Sequence, residues 1–215
     1  MPFDSPMSAY QYALEQQGFV ADAAQARAVQ ALQQCHEALH QGRTAVPGVY
    51  LWGAVGRGKT WLMDQFYQSL RVPARRQHFH HFMGWVHQRS FQLTGIADPL
   101  QALARELAEE VRVLCFDELF VNDIGDAIIL GRLFQVMFDQ GVVLVCTSNQ
   151  PRSSCMPMAS TASASFRRSA PSASTCRWWR WTASRITACT RAPPSNATGL
   201  APRGSRAPWG RCSSA

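Results

Sequence analysis

The chain has 215 residues, 47% of them apolar and 16% charged, with a formal net charge of +7. That length suits one or two domains, and the composition excludes a wholly disordered chain. Taken as an average, +7 points to nucleic acid or an anionic membrane. Yet residues 1–151 hold 11 Lys and Arg against 14 Asp and Glu, a net of −3, while 152–215 hold ten Arg and no Lys, Asp or Glu.

The first residues, Met1-Pro2-Phe3-Asp4-Ser5-Pro6, lack a basic segment followed by an apolar run, which predicts a cytoplasmic protein with no secretory signal. Residues 8–40 read as helical: Tyr10, Leu14, Phe19, Val29, Leu32 and Leu39 recur at roughly helical intervals among Ala and Gln. After a turn at Pro47 comes the apolar run Val49-Tyr50-Leu51-Trp52. A glycine-rich loop and a helical pattern from Trp61 to Tyr67 follow, so the order is strand, loop, helix. Pro73 and Arg75-Arg76 end that helix, and His78-Phe79-His80-His81-Phe82 reads as a second strand. Residues 83–94 read as a helix, and Asp98-Pro99 opens another carrying Leu100, Leu103 and Leu107.

Val111 to Phe116 is a third strand, ending in Asp117-Glu118. Residues 124–138 form an amphipathic helix that stops at Gly141, and 142–146 a fourth strand ending in Thr147-Ser148-Asn149. Short apolar strands alternating with helices predict an α/β domain with a mainly parallel sheet. No stretch approaches about 20 uninterrupted apolar residues, so no membrane span is expected. Of seven cysteines, Cys35, Cys115 and Cys146 lie in the first 151 residues and read as buried free thiols.

Gly53-Ala54-Val55-Gly56-Arg57-Gly58-Lys59-Thr60 fits G-x-x-x-x-G-K-[ST], the P-loop. Its glycines let the backbone curl so that N–H groups face a phosphate, and the following helix adds its positive end. Lys59 is placed to reach the β- and γ-phosphates of ATP, and the Thr60 hydroxyl to ligate Mg²⁺. Asp117, at the end of a buried strand, would hold Mg²⁺ beside the P-loop, and Glu118 would polarise the attacking water, the Walker B pattern. Asn149 at the next strand end is a candidate to orient that water, the alternative being an ordinary turn residue. His78, His80 and His81 could suggest a metal, but a strand edge near the site is the favoured reading. Asp123 and Asp126 read as a helix cap and a solvated charge.

These segments resemble one family, the ZapE-type cell-division ATPases and their mitochondrial AFG-like relatives, a branch of the AAA+ ATPases. The resemblance rests on YLWGAVGRGKTWLMDQF, FHHFMGWVH, DPLQAL, LCFDELFVNDIGDA and LGRLFQVMFDQGVVLVCTSNQP, and covers about residues 8–151. It implies an AAA+-like parallel sheet with flanking helices and ATP with Mg²⁺ as ligands. It also implies Walker A, Walker B and sensor-1 roles for Lys59 with Thr60, Asp117 with Glu118, and Asn149. Lys59, Glu118 and Asn149 would be catalytic. The implied activity is ATP hydrolysis that remodels a protein partner, FtsZ or the division machinery, with assembly of several copies and an arginine finger from a neighbour. The alternative is a nucleic-acid-associated ATPase such as a helicase loader, which the acidic first 151 residues disfavour. A small-molecule kinase fits the P-loop but not the LCFDE and TSN strand ends.

The tail departs from the family pattern. Residues 152–215 hold 13 Ser and ten Arg, and no Val, Tyr, Gln or His. Loss of one nucleotide at the codon for Arg152 accounts for this. Shifting the permitted codons back reads QQLYADGFNRERFLPAI, the family's continuation, whose arginines would be finger candidates. Because Trp has a single codon, Trp178-Trp179 forces a Val and Trp181-Thr182 an Asp, within a possible fifth strand. The expected organisation is therefore a helical segment 1–47, a P-loop core 48–151 and a frameshifted, disordered basic tail 152–215 that leaves the domain truncated and without its fifth strand. The alternative is a natural basic tail binding nucleic acid or lipid. Sequencing the gene across codons 149–153 separates the two: an intact frame whose relatives share the Ser/Arg tail ends the frameshift reading.

Overall fold

The computed structural model describes residues 3–93, 95–150 and the strand 182–185. In chain order the elements are α1 (Pro6–Gln16), α2 (Ala23–His40), β1 (Val49–Trp52), α3 (Lys59–Ser69), β2 (Ala74–His78) and α4 (Phe79–Gln92). Then come α5 (Pro99–Glu110), β3 (Val113–Asp117), α6 (Ile124–Asp139), β4 (Val143–Ser148) and β5 (Thr182–Arg185). The five strands form one sheet in the order β2-β3-β4-β1-β5, with every pairing parallel.

The apolar runs are explained by burial on both faces of the sheet. Tyr50, Leu114, Phe116, Leu144 and Cys146 pack with α4, α5 and α6 on one side. Their alternates Val49, Leu51, Val113, Cys115, Val143 and Val145 pack with α1, α2 and α3 on the other. Phe116 is at the centre of the first layer, in contact with the rings of Phe79, Phe82 and Phe134. Burying a side chain of this size contributes about 1.5–3 kcal/mol.

Three sequence expectations change. The helical stretch 8–40 is two helices, because Gly18 takes a left-handed φ of +67° and Asp22 then caps α2 by accepting from the Ala24 N–H. The second strand is Ala74–His78, and Phe79 to Phe82 is the first turn of α4. Phe79, Phe82, Met83 and Val86 are the buried residues there, which is helical spacing. The strand that precedes them, ARRQH, is half-buried throughout because it lies at the sheet edge, where charge is tolerated and discourages further pairing. Finally, residues 182–185 do supply a fifth strand, pairing Val49 with Thr182 through Trp52 with Arg185. The edge of β1 offers unpaired backbone groups, and the short segment Thr182–Arg185 satisfies them. The expected disorder of the rest of 152–215 lies outside the described residues.

Capping follows the sequence reading at Asp98, which accepts from the Gln101 N–H, and at Asp123, which accepts from Gly125 and Asp126. Asp126 is more than a solvated charge, since its carboxylate meets His87 Nε2 at 2.7 Å and ties α6 to α4. Cys35 and Cys115 are free and buried, and Cys146 is buried. Burial pushes the Cys35 thiol up to about 12 and Cys115 higher still, so neither is a nucleophile. Among the described residues no helix is long and apolar enough to cross a membrane.

His36 gives the fold an acid-sensitive point. It is buried in α2 and its Nε2–H donates to the Ser69 carbonyl, 3.2 Å away. Burial is the main cause that holds its pKa below 6.5, with the Ser69 bond opposing it. A folded pKa below the unfolded one means that protonation favours unfolding. This stability is full above the unfolded value and is lost as pH falls through the folded one. Thermal denaturation across that window is expected to show a smaller loss of Tm for His36→Gln, which keeps a donor for Ser69, than for the parent chain.

Candidate nucleotide site

The site stands where the C-terminal ends of β1, β3 and β4 meet the start of α3. After Trp52 the chain curls through Gly53, Ala54, Val55, Gly56, Arg57 and Gly58, and α3 begins at Lys59. Gly56 and Gly58 have φ of +79° and +77°, left-handed conformations that favour glycine. Helices α1, α2, α5 and α6 have a side-chain oxygen at their N-termini, whereas α3 starts at Gly58 with none. Its first N–H groups and its dipole thus stay available to an anion.

Lys59 is 7% exposed. Its Nζ donates to the carbonyls of Gly53 at 2.9 Å and Ala54 at 2.8 Å and to Asn149 Oδ1 at 3.0 Å. Burial lowers the pKa of this ammonium, and the carboxylates of Asp117 and Glu118 oppose that shift. Here the sheet order matters. Strand β4 lies between β1 and β3, so Asn149, just past the end of β4, stands between the P-loop and the acid pair. Asp117 reaches the P-loop through Thr60, whose Oγ1 donates to Asp117 Oδ1 at 3.1 Å. Lys59, Thr60, Asp117 and Asn149 are therefore brought together, although they come from three separate segments.

Two residues not singled out in the sequence complete the arrangement. Thr147 Oγ1 donates to Asp117 Oδ1 at 2.6 Å and accepts from the Glu118 N–H at 3.0 Å, so one buried hydroxyl holds the Asp117 carboxylate and the Glu118 backbone. Arg76, from β2, donates through Nη2 to Asp117 Oδ2 at 3.3 Å and through Nε meets Asp64. The guanidinium compensates Asp117, a carboxylate 4% exposed. Burial raises the Asp64 pKa, and Arg76 opposes that. A residue on an edge strand gives no periodic signal, whereas Thr147 stood in view inside TSN without a role.

Glu118 has a φ of +56°, the one left-handed non-glycine among the described residues. This turns the chain sharply after β3 and leaves the Glu118 side chain exposed beside buried Asp117. His78 ends β2 while His80 and His81 lie in the first turn of α4, so they do not share one strand face.

The arrangement can take a polyanion and a divalent cation: an uncapped helix end and an ammonium for the former, a hydroxyl and a carboxylate for the latter. Cell division protein ZapE of Escherichia coli K12 is 54% identical over 109 residues, which is 50% of this chain and 29% of ZapE. Lactation elevated protein 1 homolog B of Danio rerio is 43% identical over 116 residues, 48% of this chain and 23% of that protein. The chain thus spans less than a third of the length of these relatives. In fold it is similar to the solved DnaI structure, at a TM-score of 0.54 and 16% identity over 78% of this chain and 87% of that one. The DnaC helicase loader gives 0.51 and 11% identity over 78% and 92%. The AFG1-like ATPase family profile matches residues 4–157. Since that match takes in the P-loop, the acid pair and Asn149 within a sheet of this order, the chain belongs to the AFG1-like ATPases, a family of AAA+ P-loop ATPases.

Proposed function

We propose that this chain carries an ATPase site that binds ATP with Mg²⁺ and, in the intact reading frame, hydrolyses the γ-phosphate bond, and that the nucleotide cycle acts on a protein partner of the division machinery in the cytoplasm. What carries the reading is the convergence of two hydrogen-bonded pairs, Lys59 with Asn149 and Thr60 with Asp117, at the head of an uncapped helix. ATP supplies the phosphoryl group, and Mg²⁺ the neutralising charge, when bound. The loop from Gly53 to Gly58 offers backbone N–H groups to phosphate oxygens. Lys59 exchanges the Gly53 and Ala54 carbonyls for phosphate. Thr60 and Asp117 would hold the cation. Glu118, exposed and with its backbone N–H held by Thr147, orients a water and accepts its proton, and Asn149 holds that water from the other side.

The name of the ZapE relative supports a division partner, and FtsZ is the candidate that the family resemblance suggests. A protein partner also suits the surface after Glu118. Phe120, Ile124 and Ile128 are 44%, 58% and 55% exposed, beside Asp123 and Asp126, an apolar and acidic face unsuited to nucleic acid. The likeness to helicase loaders is one of fold.

The reading frame bears on activity. The family match stops at residue 157, just past the proposed junction at codon 152, and the finger arginines would lie in the shifted frame. The chain as written is expected to show an ATP-dependent thermal shift with little phosphate release, and one nucleotide restored at codon 152 is expected to raise the release. Full turnover from the chain as written would refute the frameshift account. Absence of any ATP-dependent shift would refute the nucleotide reading. Stimulation by DNA in place of a filament protein would favour the loader alternative.

A further inference from the structure

Gln25 is the third residue of α2 and 1% exposed. Asp22 and Gln25 have capping-box spacing, in which the glutamine would reach back to its own helix start. Instead, Gln25 Nε2 donates to the carbonyl of Arg57 in the P-loop, 3.2 Å away and 32 positions along the chain. A carbonyl only accepts, so the amide must present its nitrogen there. Its Oε1 is then buried and has no partner among the described residues. The amide also lies against the loop: a Cβ built on Gly58 would stand 3.1 Å from Nε2. Helix α2 is itself held firmly, since Ala28, Val29 and Leu32 share a core with Leu62, Met63 and Phe66 of α3.

A planar trans peptide points its C=O and the next N–H in opposite directions. Holding the Arg57 carbonyl toward α2 therefore directs the Gly58 N–H away from α2. Without that bond the Arg57–Gly58 peptide is free to flip, because glycine tolerates both orientations. We propose that Gln25 is a positioning residue for the P-loop, locking this peptide so that the phosphate cradle is formed before nucleotide arrives. The unpartnered Oε1 means that the amide is retained at a cost to stability, as expected of a group kept for preorganisation. The inference rests on the nucleotide reading above and adds a residue from outside the P-loop to it.

The test compares ATP and inorganic tripolyphosphate, each with Mg²⁺, binding to the full 215-residue chain and its variants. Gln25→Met fills the same space without a donor or a stranded acceptor. It is expected to keep or raise Tm while weakening ATP and tripolyphosphate in parallel, by about five- to tenfold for one lost hydrogen bond. Gln25→His, whose Nε2–H reaches about as far as the amide, is expected to recover most of the affinity for both. Unchanged affinity in the Met variant overturns the proposal by making Gln25 a packing residue. Loss for ATP alone overturns it by making Gln25 a reader of the base. If the parent chain binds neither ligand, the nucleotide reading itself fails and this inference goes with it. Parent binding with no Met effect removes this inference alone.

Discussion

Replacing Lys59 with alanine is expected to weaken ATP binding by about 10- to 100-fold, the worth of a charge-assisted hydrogen bond of about 1.5–3 kcal/mol. The nucleotide-free fold is expected to lose little. Lys59 Nζ is surrounded by the Gly53 and Ala54 carbonyls and Asn149 Oδ1, but Asn149 is exposed and water can reach these acceptors once the ammonium is gone. Burial already lowers the lysine pKa, so holding the charge here opposes desolvation that truncation removes. Titration with a fluorescent ATP analogue, beside thermal denaturation without nucleotide, separates the two quantities. Affinity retained within twofold in Lys59→Ala would show that the loop is a turn with no ligand.

In the chain with one nucleotide restored at codon 152, Glu118→Gln is expected to bind ATP normally while its phosphate release falls by about 10²–10⁴, the usual contribution of a general base. Its shape is unchanged, and the bond from its N–H to Thr147 Oγ1 does not involve the side chain. Glu118→Gly asks a different question. A left-handed non-glycine costs about 1–3 kcal/mol, and at a φ of +56° that cost is held by Thr147, which also takes the Leu119 N–H on its carbonyl at 2.7 Å. The glycine variant is expected to fold at least as stably as the parent, by up to about 1 kcal/mol after the entropy of glycine is counted, and to be as inactive as the glutamine variant. Single-turnover phosphate release and urea denaturation read the pair. Glutamine turnover near that of the parent would remove Glu118 from the chemistry. A large loss of stability on Glu118→Gly would show that the turn is held for packing.

Where the sequence was legible, one local rule acted alone. Val49 to Trp52 and Val113 to Phe116 are apolar because both faces of those strands are buried, and a buried strand shows itself by composition. Gly53, Gly58, Lys59 and Thr60 are legible because the G-x-x-x-x-G-K-[ST] pattern leaves almost no choice of residue at those places. Legibility failed where two rules competed. Phe79 to Phe82 is apolar enough for a strand, and the helical spacing to Met83 and Val86 decided otherwise. Ala74 to His78 is a strand in spite of its charges because an edge strand buries little. Thr182 to Arg185 pairs with β1 through backbone groups that any sequence possesses, so composition gave no warning of it.

By itself, then, the sequence determined that this chain has a parallel α/β core, a P-loop, an acid pair and a polar strand end, and that its net charge divides near residue 151. Those are properties of short windows, in which neighbouring residues set both conformation and chemistry. Only the tertiary structure decided that β4 lies between the P-loop strand and the acid strand, bringing Asn149 to Lys59. The same holds for Arg76 and Thr147, which share Asp117, and for Gln25, which crosses to the Arg57 carbonyl. Such contacts join residues tens of positions apart. They depend on the order in which strands pair and on which helix end faces which loop, and neither is fixed until the two faces of the sheet have been buried.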